Sequence, residues 1–135
     1  MSKAAYLFDA SSLVKALREA RLEPLGGQAT QWLTLYEVLN AIWKQCAMLH
    51  ALTSEEASSL IDDFLDLFHE MMVLDIRGLE HDIIQLAIAK KITVYDASYI
   101  ALAAKHKLIL VTEDEELLRK SKDLIQAVSL NDVKL

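Results

Sequence analysis

Cysteine, proline, glycine and basic residues are all in short supply in this chain. The single Cys46 excludes an internal disulfide and any multi-cysteine zinc site, and reads as a small buried hydrophobe on a helix. One proline and three glycines in 135 residues imply short loops and closely spaced elements. Only Glu23–Gln28 gathers them, with Pro24, Gly26 and Gly27, and it is the clearest loop and the expected mobile rim of a site. Fourteen Lys and Arg against twenty Asp and Glu give a net charge of −6, which argues against a broad basic face for nucleic acid. It leaves open a protein that meets phosphate through metal, because clustered acids inflate the negative count. No window approaches 18 consecutive apolar residues, so no membrane span is expected. The start, Met1-Ser2-Lys3-Ala4, has no signal-peptide h-region, and a soluble cytoplasmic protein is expected. G-x-G-x-x-G and G-K-[ST] are absent, which excludes a Rossmann or P-loop nucleotide binder. The four histidines, His50, His69, His81 and His106, show neither metal-ligand spacing nor the logic of a Ser/His/Asp site.

What is present is an alternation of strand-like and helix-like segments. The length suits one domain over residues 1–135, and 53% hydrophobic content suffices for a well-formed core. Residues 4–8 read as a strand and Ser11 to about Ala20 as a helix. Trp32–Leu35 reads as a short second strand, and from Tyr36 the stripe Leu35, Val38, Leu39, Ile42, Cys46, Leu49 marks a helix. Thr53 and Glu56 form a capping box ahead of a helix that buries Ala57, Leu60, Ile61, Phe64, Leu65 and Phe68. Met72–Ile76 is a third strand, followed by helices over Leu79–Lys90 and Val94–Lys105. Leu108–Val111 is a continuous apolar run, as in a parallel strand buried on both faces. A short helix over Glu115–Ser121 and a strand over Gln126–Leu130 close the chain. This is the pattern of an α/β domain with a mostly parallel sheet.

Four acids stand out by context. Asp9 ends the first strand, where ligands bind in open α/β sheets, although one acid there could simply cap the next helix. Glu37 stands at the start of the second helix, with Asn40, Ala41 and Lys44 continuing a polar line from it; alone, it suits a helix first turn. Asp96 is the only charge in an apolar segment before Lys105, so it is expected to be buried and paired, metal-bound or protonated. Its ordinary explanation is a capping box with Thr93. Asp114 follows the fourth strand, where Thr112 and Glu115 would form the capping box of the next helix. Taken together, Asp9 and Asp114 project from one edge of a parallel sheet. Carboxylates converging there without Lys or Arg raise one another's pKa values, and all-oxygen ligation selects Mg²⁺ or Mn²⁺.

The chain resembles PIN domains, and most closely the small ribonucleases that act as VapC-like toxins of VapBC-type toxin–antitoxin pairs. Four segments carry the resemblance, in family order and across essentially the whole chain: Phe8–Val14, Thr34–Asn40, Tyr95–Ala103 and Leu110–Asp114. It implies a three-layer fold with a five-stranded parallel sheet in order 3-2-1-4-5 between helices. It also places the family's acidic quartet on Asp9, Glu37, Asp96 and Asp114. Ser11, Asn40 and Thr112 take the supporting polar positions. Glu113 or Glu116, crowded around Asp114, could assist a second metal. The implied activity is Mg²⁺- or Mn²⁺-dependent endonucleolytic hydrolysis of RNA, leaving 5′-phosphate and 3′-hydroxyl ends. By their position, one or two turns from one of these acids, Lys15 and Lys44 are candidates to meet flanking phosphates, or else solvated surface lysines. A homodimer and a small VapB-like antitoxin whose segment enters the acidic cleft are the implied partners. Two alternatives stay open: a catalytically silent PIN-like interaction module, and a PIN nuclease of RNA processing outside a toxin–antitoxin system. A dehalogenase-like phosphotransferase is not favoured, because it needs a second Asp where this chain has Ser11.

Overall fold

The structure, a computed structural model, describes residues 4–135, so Met1–Lys3, read above as lacking an h-region, lie outside the described residues. Eleven regular elements alternate along the described chain. They run β1 (Tyr6–Phe8), α1 (Ala10–Arg18), β2 (Ala29–Gln31), α2 (Trp32–Trp43), α3 (Ser54–Glu70) and β3 (Met72–Leu74), then α4 (Glu80–Lys90), α5 (Val94–His106), β4 (Ile109–Val111), α6 (Glu115–Ser121) and β5 (Ala127–Val128). The five strands are all parallel, in the order β3-β2-β1-β4-β5. The expected architecture and strand order are therefore found.

Each central strand feeds both faces of the sheet, as side-chain alternation requires. Leu7 and Leu110 join a core with Ile83, Ala97, Ile100 and Leu117, from α4, α5 and α6. Tyr6, Phe8 and Val111 join a second core with Leu13, Val38, Phe64 and Phe68, from α1, α2 and α3. Two helical layers thus sandwich the sheet. β1 pairs in register with β4, Phe8 opposite Val111, so the next residues, Asp9 and Thr112, leave the sheet side by side. The winding reverses at this pair, which opens the crevice where open α/β sheets bind ligands.

The second strand lies three residues earlier than expected. Trp32–Leu35 is the first turn of α2, and the strand is Ala29–Gln31, hidden in sequence because two of its three side chains are polar. Those side chains are buried but satisfied: Thr30 Oγ1 donates to the Phe8 carbonyl at 2.9 Å, and Gln31 Nε2 donates to Ser98 Oγ at 2.8 Å. A polar residue can occupy a core strand when its partner is supplied by tertiary structure. The helical stripe also stops early. Beyond Ile42 the chain makes a π turn over Lys44–Met48, which leaves Cys46 half-buried and Leu49 exposed. The capping box at Thr53 and Glu56 forms as expected.

Candidate active site at the carboxyl edge of the sheet

Asp9 is held from three directions. Its Oδ1 accepts the Ser12 backbone N–H at 2.9 Å and the Ser11 hydroxyl at 2.7 Å, and its Oδ2 accepts the Thr112 hydroxyl at 2.5 Å. The bond from Ser12 makes Asp9 the N-cap of α1, so cap and site residue are not alternatives here. Burial pushes its pKa up, against the donors that stabilise the anion.

Thr112 does not cap α6. It is fully buried and spends its proton on Asp9, while Asp114 caps the helix by accepting Glu116 N–H at 2.9 Å and Leu117 N–H at 3.2 Å on Oδ1. The capping box expected from Thr112 and Glu115 is therefore replaced by a single Asp cap two residues on. A fixed Oδ1 leaves Asp114 Oδ2 without a hydrogen bond from the described residues.

Asp96 occupies the first turn of α5. Thr93 caps that turn by accepting the Asp96 backbone N–H at 3.1 Å, and the reciprocal half of the box is not made. The carboxylate is thus uncommitted among the described residues, and it is half-buried rather than enclosed, because Val94 and Tyr95 beside it are exposed. Its pKa is raised by burial first, then by the charges of Asp114, Asp9 and Glu116, with Lys120 offsetting part of this. Glu37 lies in the second turn of α2, not at its start, so a helix-dipole role does not account for it. Tyr99 donates its hydroxyl to Glu37 Oε1 at 2.6 Å. Burial, and after it the charges of Asp9 and Asp96, hold the Glu37 pKa up against that bond.

The four acids therefore form one electrostatic cluster drawn from four elements. Among the described residues, no three His, Cys, Asp or Glu side chains are grouped tightly enough to hold an ion by themselves. An open, all-oxygen set nevertheless suits an ion such as Mg²⁺, which takes one or two carboxylates and keeps several waters.

The neighbouring candidates divide by what already engages them. Ser11 supports Asp9 and accepts the Glu113 backbone N–H at 2.9 Å. Both Glu113 carboxylate oxygens are engaged, one by Lys15 Nζ at 3.0 Å and the other by Leu130 N–H at 2.7 Å. Glu116 is exposed and paired with Lys120 at 2.6 Å, which lowers its pKa. Lys15, Asn40 and Lys44 line a groove of about 1120 Å³ between α1 and α2, with Glu37 in its wall. Arg18, Tyr36 and Tyr95 line the same groove and were not singled out from sequence, although each tyrosine directly precedes a cluster acid. Thr34 and Tyr99 were also missed. Tyr99 lies three residues after Asp96 in the helical segment, a spacing that could have drawn notice.

Residues 4–123 match the family model described as PIN domain. The chain belongs to the PIN domain family. Two proteins of Pyrobaculum aerophilum are similar to it. One, named exonuclease VapC9, is 35% identical over 93% of this chain and 92% of its own. The other, named ribonuclease VapC3, is 36% identical over 69% of this chain and 70% of its own. Among solved structures, PAE2754 from the same organism superposes on this PIN domain with a TM-score of 0.78 at 29% identity, covering 95% of this chain and 90% of that one. DNA-bound VapBC from Salmonella typhimurium shares the fold at a TM-score of 0.66 and 16% identity, covering 94% and 98%. Among the described residues, no helix of this PIN domain is long and apolar enough to cross a membrane.

Proposed function

We propose that this PIN domain is a Mg²⁺- or Mn²⁺-dependent ribonuclease and the toxin of a toxin–antitoxin pair. The observation that carries the reading is the acid cluster: Asp9, Glu37 and Asp96 have raised pKa values, and neighbouring carboxylates contribute to the shifts of Glu37 and Asp96. A divalent cation relieves such repulsion. Asp9, Asp96 and Asp114 would hold the ion, directly or through water, and Glu37 would complete the set. Once bound there, it supplies Lewis acidity toward a phosphodiester and lowers the pKa of an attacking water.

The protein's own contribution is orientation. Ser11, Ser12 and Thr112 fix both oxygens of Asp9, and the two α6 amides fix Asp114 Oδ1. Asp114 can then present its Oδ2, and Asp9 the remaining lone pairs of its fixed oxygens, without losing their internal partners, the arrangement that supporting shells of metal sites share. Lys44, exposed in the groove wall, would meet a flanking phosphate; Lys15 would do so by exchanging Glu113 for RNA. Asn40 would hydrogen-bond substrate from the same wall. An RNA substrate, a homodimer, a small antitoxin and a cytoplasmic setting complete the reading. The toxin assignment draws support from relatives named as VapC proteins and from a structural neighbour that is a VapBC complex.

The test is hydrolysis of linear and circular RNA with Mg²⁺ or Mn²⁺, with and without EDTA. Cleavage of both substrates is expected, since an internal cut needs no free end, and EDTA, Asp9→Asn or Asp96→Asn should each abolish it. Activity that survives EDTA or both substitutions sinks the metal reading. Cleavage of linear RNA alone would make the enzyme an exonuclease. Mn²⁺ binding without cleavage of either RNA would favour a silent interaction module.

A further inference from the structure

Tyr99 is fully buried in the core between the sheet and α4–α6, where a phenylalanine would fill the same volume. Its hydroxyl has a specific use. It donates to Glu37 Oε1 at 2.6 Å and lies 2.7 Å from the hydroxyl of Thr34, which is also fully buried. A phenol has one proton. With that proton committed to the carboxylate, Thr34 is the donor of the second bond, and the chain runs Thr34 to Tyr99 to Glu37. Each bond in such a series strengthens the next. Gln31, the last residue of β2, and Ser98, the neighbour of Tyr99 on α5, add a parallel tie, Nε2 to Oγ at 2.8 Å. Residues 31, 34 and 37 thus bring one seam of the β2–α2 segment against residues 98 and 99 of α5. The helix that carries Asp96 therefore also supplies the donor that holds Glu37.

We propose that Tyr99 is a positioning residue: through the Thr34–Tyr99–Glu37 chain it fixes Glu37 Oε1, leaves Oε2 to the acid cluster, and sets the placement of Glu37 relative to Asp96. The proposal rests on the reading of Glu37 as part of the metal site. Tyr99 acts only through Glu37, so removing its hydroxyl loosens the ligand without disturbing the other three acids.

The experiment is calorimetric titration of Mn²⁺ into the wild-type chain, Tyr99→Phe, Glu37→Ala and the double variant, with thermal midpoints measured in parallel. Loss of a supporting hydrogen bond typically weakens a metal site 10- to 100-fold, so Tyr99→Phe should weaken Mn²⁺ binding by about that factor. In the Glu37→Ala background the same substitution should change affinity by less than about twofold, because the route is already gone. Thr34→Val, which removes only the upstream donor, should give a smaller loss in the same direction and serves if Glu37→Ala binds too weakly to titrate. An equal loss in both backgrounds, or a lowered thermal midpoint with Mn²⁺ affinity unchanged for Tyr99→Phe and Thr34→Val, overturns the proposal and makes Tyr99 a packing residue. A wild-type chain that takes up no Mn²⁺ removes the metal reading itself, and this proposal with it.

Discussion

At the scale of single residues, the site is a set of carboxylates kept close to one another at a cost to the folded state. Asp96 shows this most directly, because no donor among the described residues stabilises its anion. Its folded-state pKa lies above the ordinary value of 3.8, raised by burial and then by three neighbouring acids. The unfolded chain therefore loses this proton more readily than the folded one. The cost is absent below the unfolded pKa, grows as pH rises, and is fully present above the folded pKa. Removing the charge should stabilise the metal-free chain at pH 7. We expect Asp96→Asn to raise stability by about 0.5 kcal/mol after allowing for the solvent that screens a half-exposed group. That corresponds to about 2 °C in Tm. The gain should shrink as pH is lowered toward 4. Melting curves of both proteins in EDTA between pH 4 and 8 check this; a variant less stable at pH 7 would mean that Asp96 makes a favourable interaction that outweighs the repulsion. The same argument explains why Asp96 was legible in sequence. Unpaired charge in apolar surroundings is conspicuous, whereas the hydroxyls of Tyr99 and Thr34 look like ordinary core and helix residues until the fold brings them to Glu37.

At the scale of elements, sequence patterning located helices better than strands. The capping box of α3, the apolar β4 and the amphipathic faces of α1 and α3 are local signals, and all were readable. β2 was not, because Ala29-Thr30-Gln31 draws its satisfaction from Phe8 and Ser98, residues distant in sequence. Gln28, just before it, goes further and replaces part of the ladder. Its side-chain Oε1 accepts the backbone N–H groups of both Ala5 and Tyr6, at 2.9 and 3.0 Å, where β1 has not yet met β2. The regular register between these strands is a single pair, Leu7 with Ala29. Gln28→Ala would leave two backbone donors at the start of β1 without a partner, that of Tyr6 being buried. An unmet buried donor costs roughly 1–3 kcal/mol, and we expect a loss of about 2 kcal/mol. Urea denaturation, with an unchanged slope and a lower midpoint, would record it; a loss below about 0.5 kcal/mol would show that water reaches both amides.

At the scale of the whole molecule, the sheet order decides which layers meet at the site. Asp9 leads into α1 and Glu37 sits on α2, both packed on the face built around Phe8 and Phe64. Asp96 sits on α5 and Asp114 caps α6, both packed on the opposite face with Ile100 and Leu117. An ion at the carboxyl edge would therefore bridge the two layers around the end of the sheet. Because the folded chain alone would assemble this site, Mn²⁺ at about 100 times its Kd should add about 2.7 kcal/mol of stability. For a chain of this size that is a rise of roughly 8–10 °C in Tm. The bridge makes a sharper prediction than the rise itself. Hydrogen exchange should slow on adding Mn²⁺ in the second turn of α2, around Glu37, and in the first turn of α5, around Asp96, since the ion would restrain both. EDTA should reverse the effect, and Asp96→Asn should weaken it in both turns at once. Protection confined to α5, with α2 unchanged, would mean that Glu37 stands outside the metal site and that the ion is held by one layer and the sheet edge.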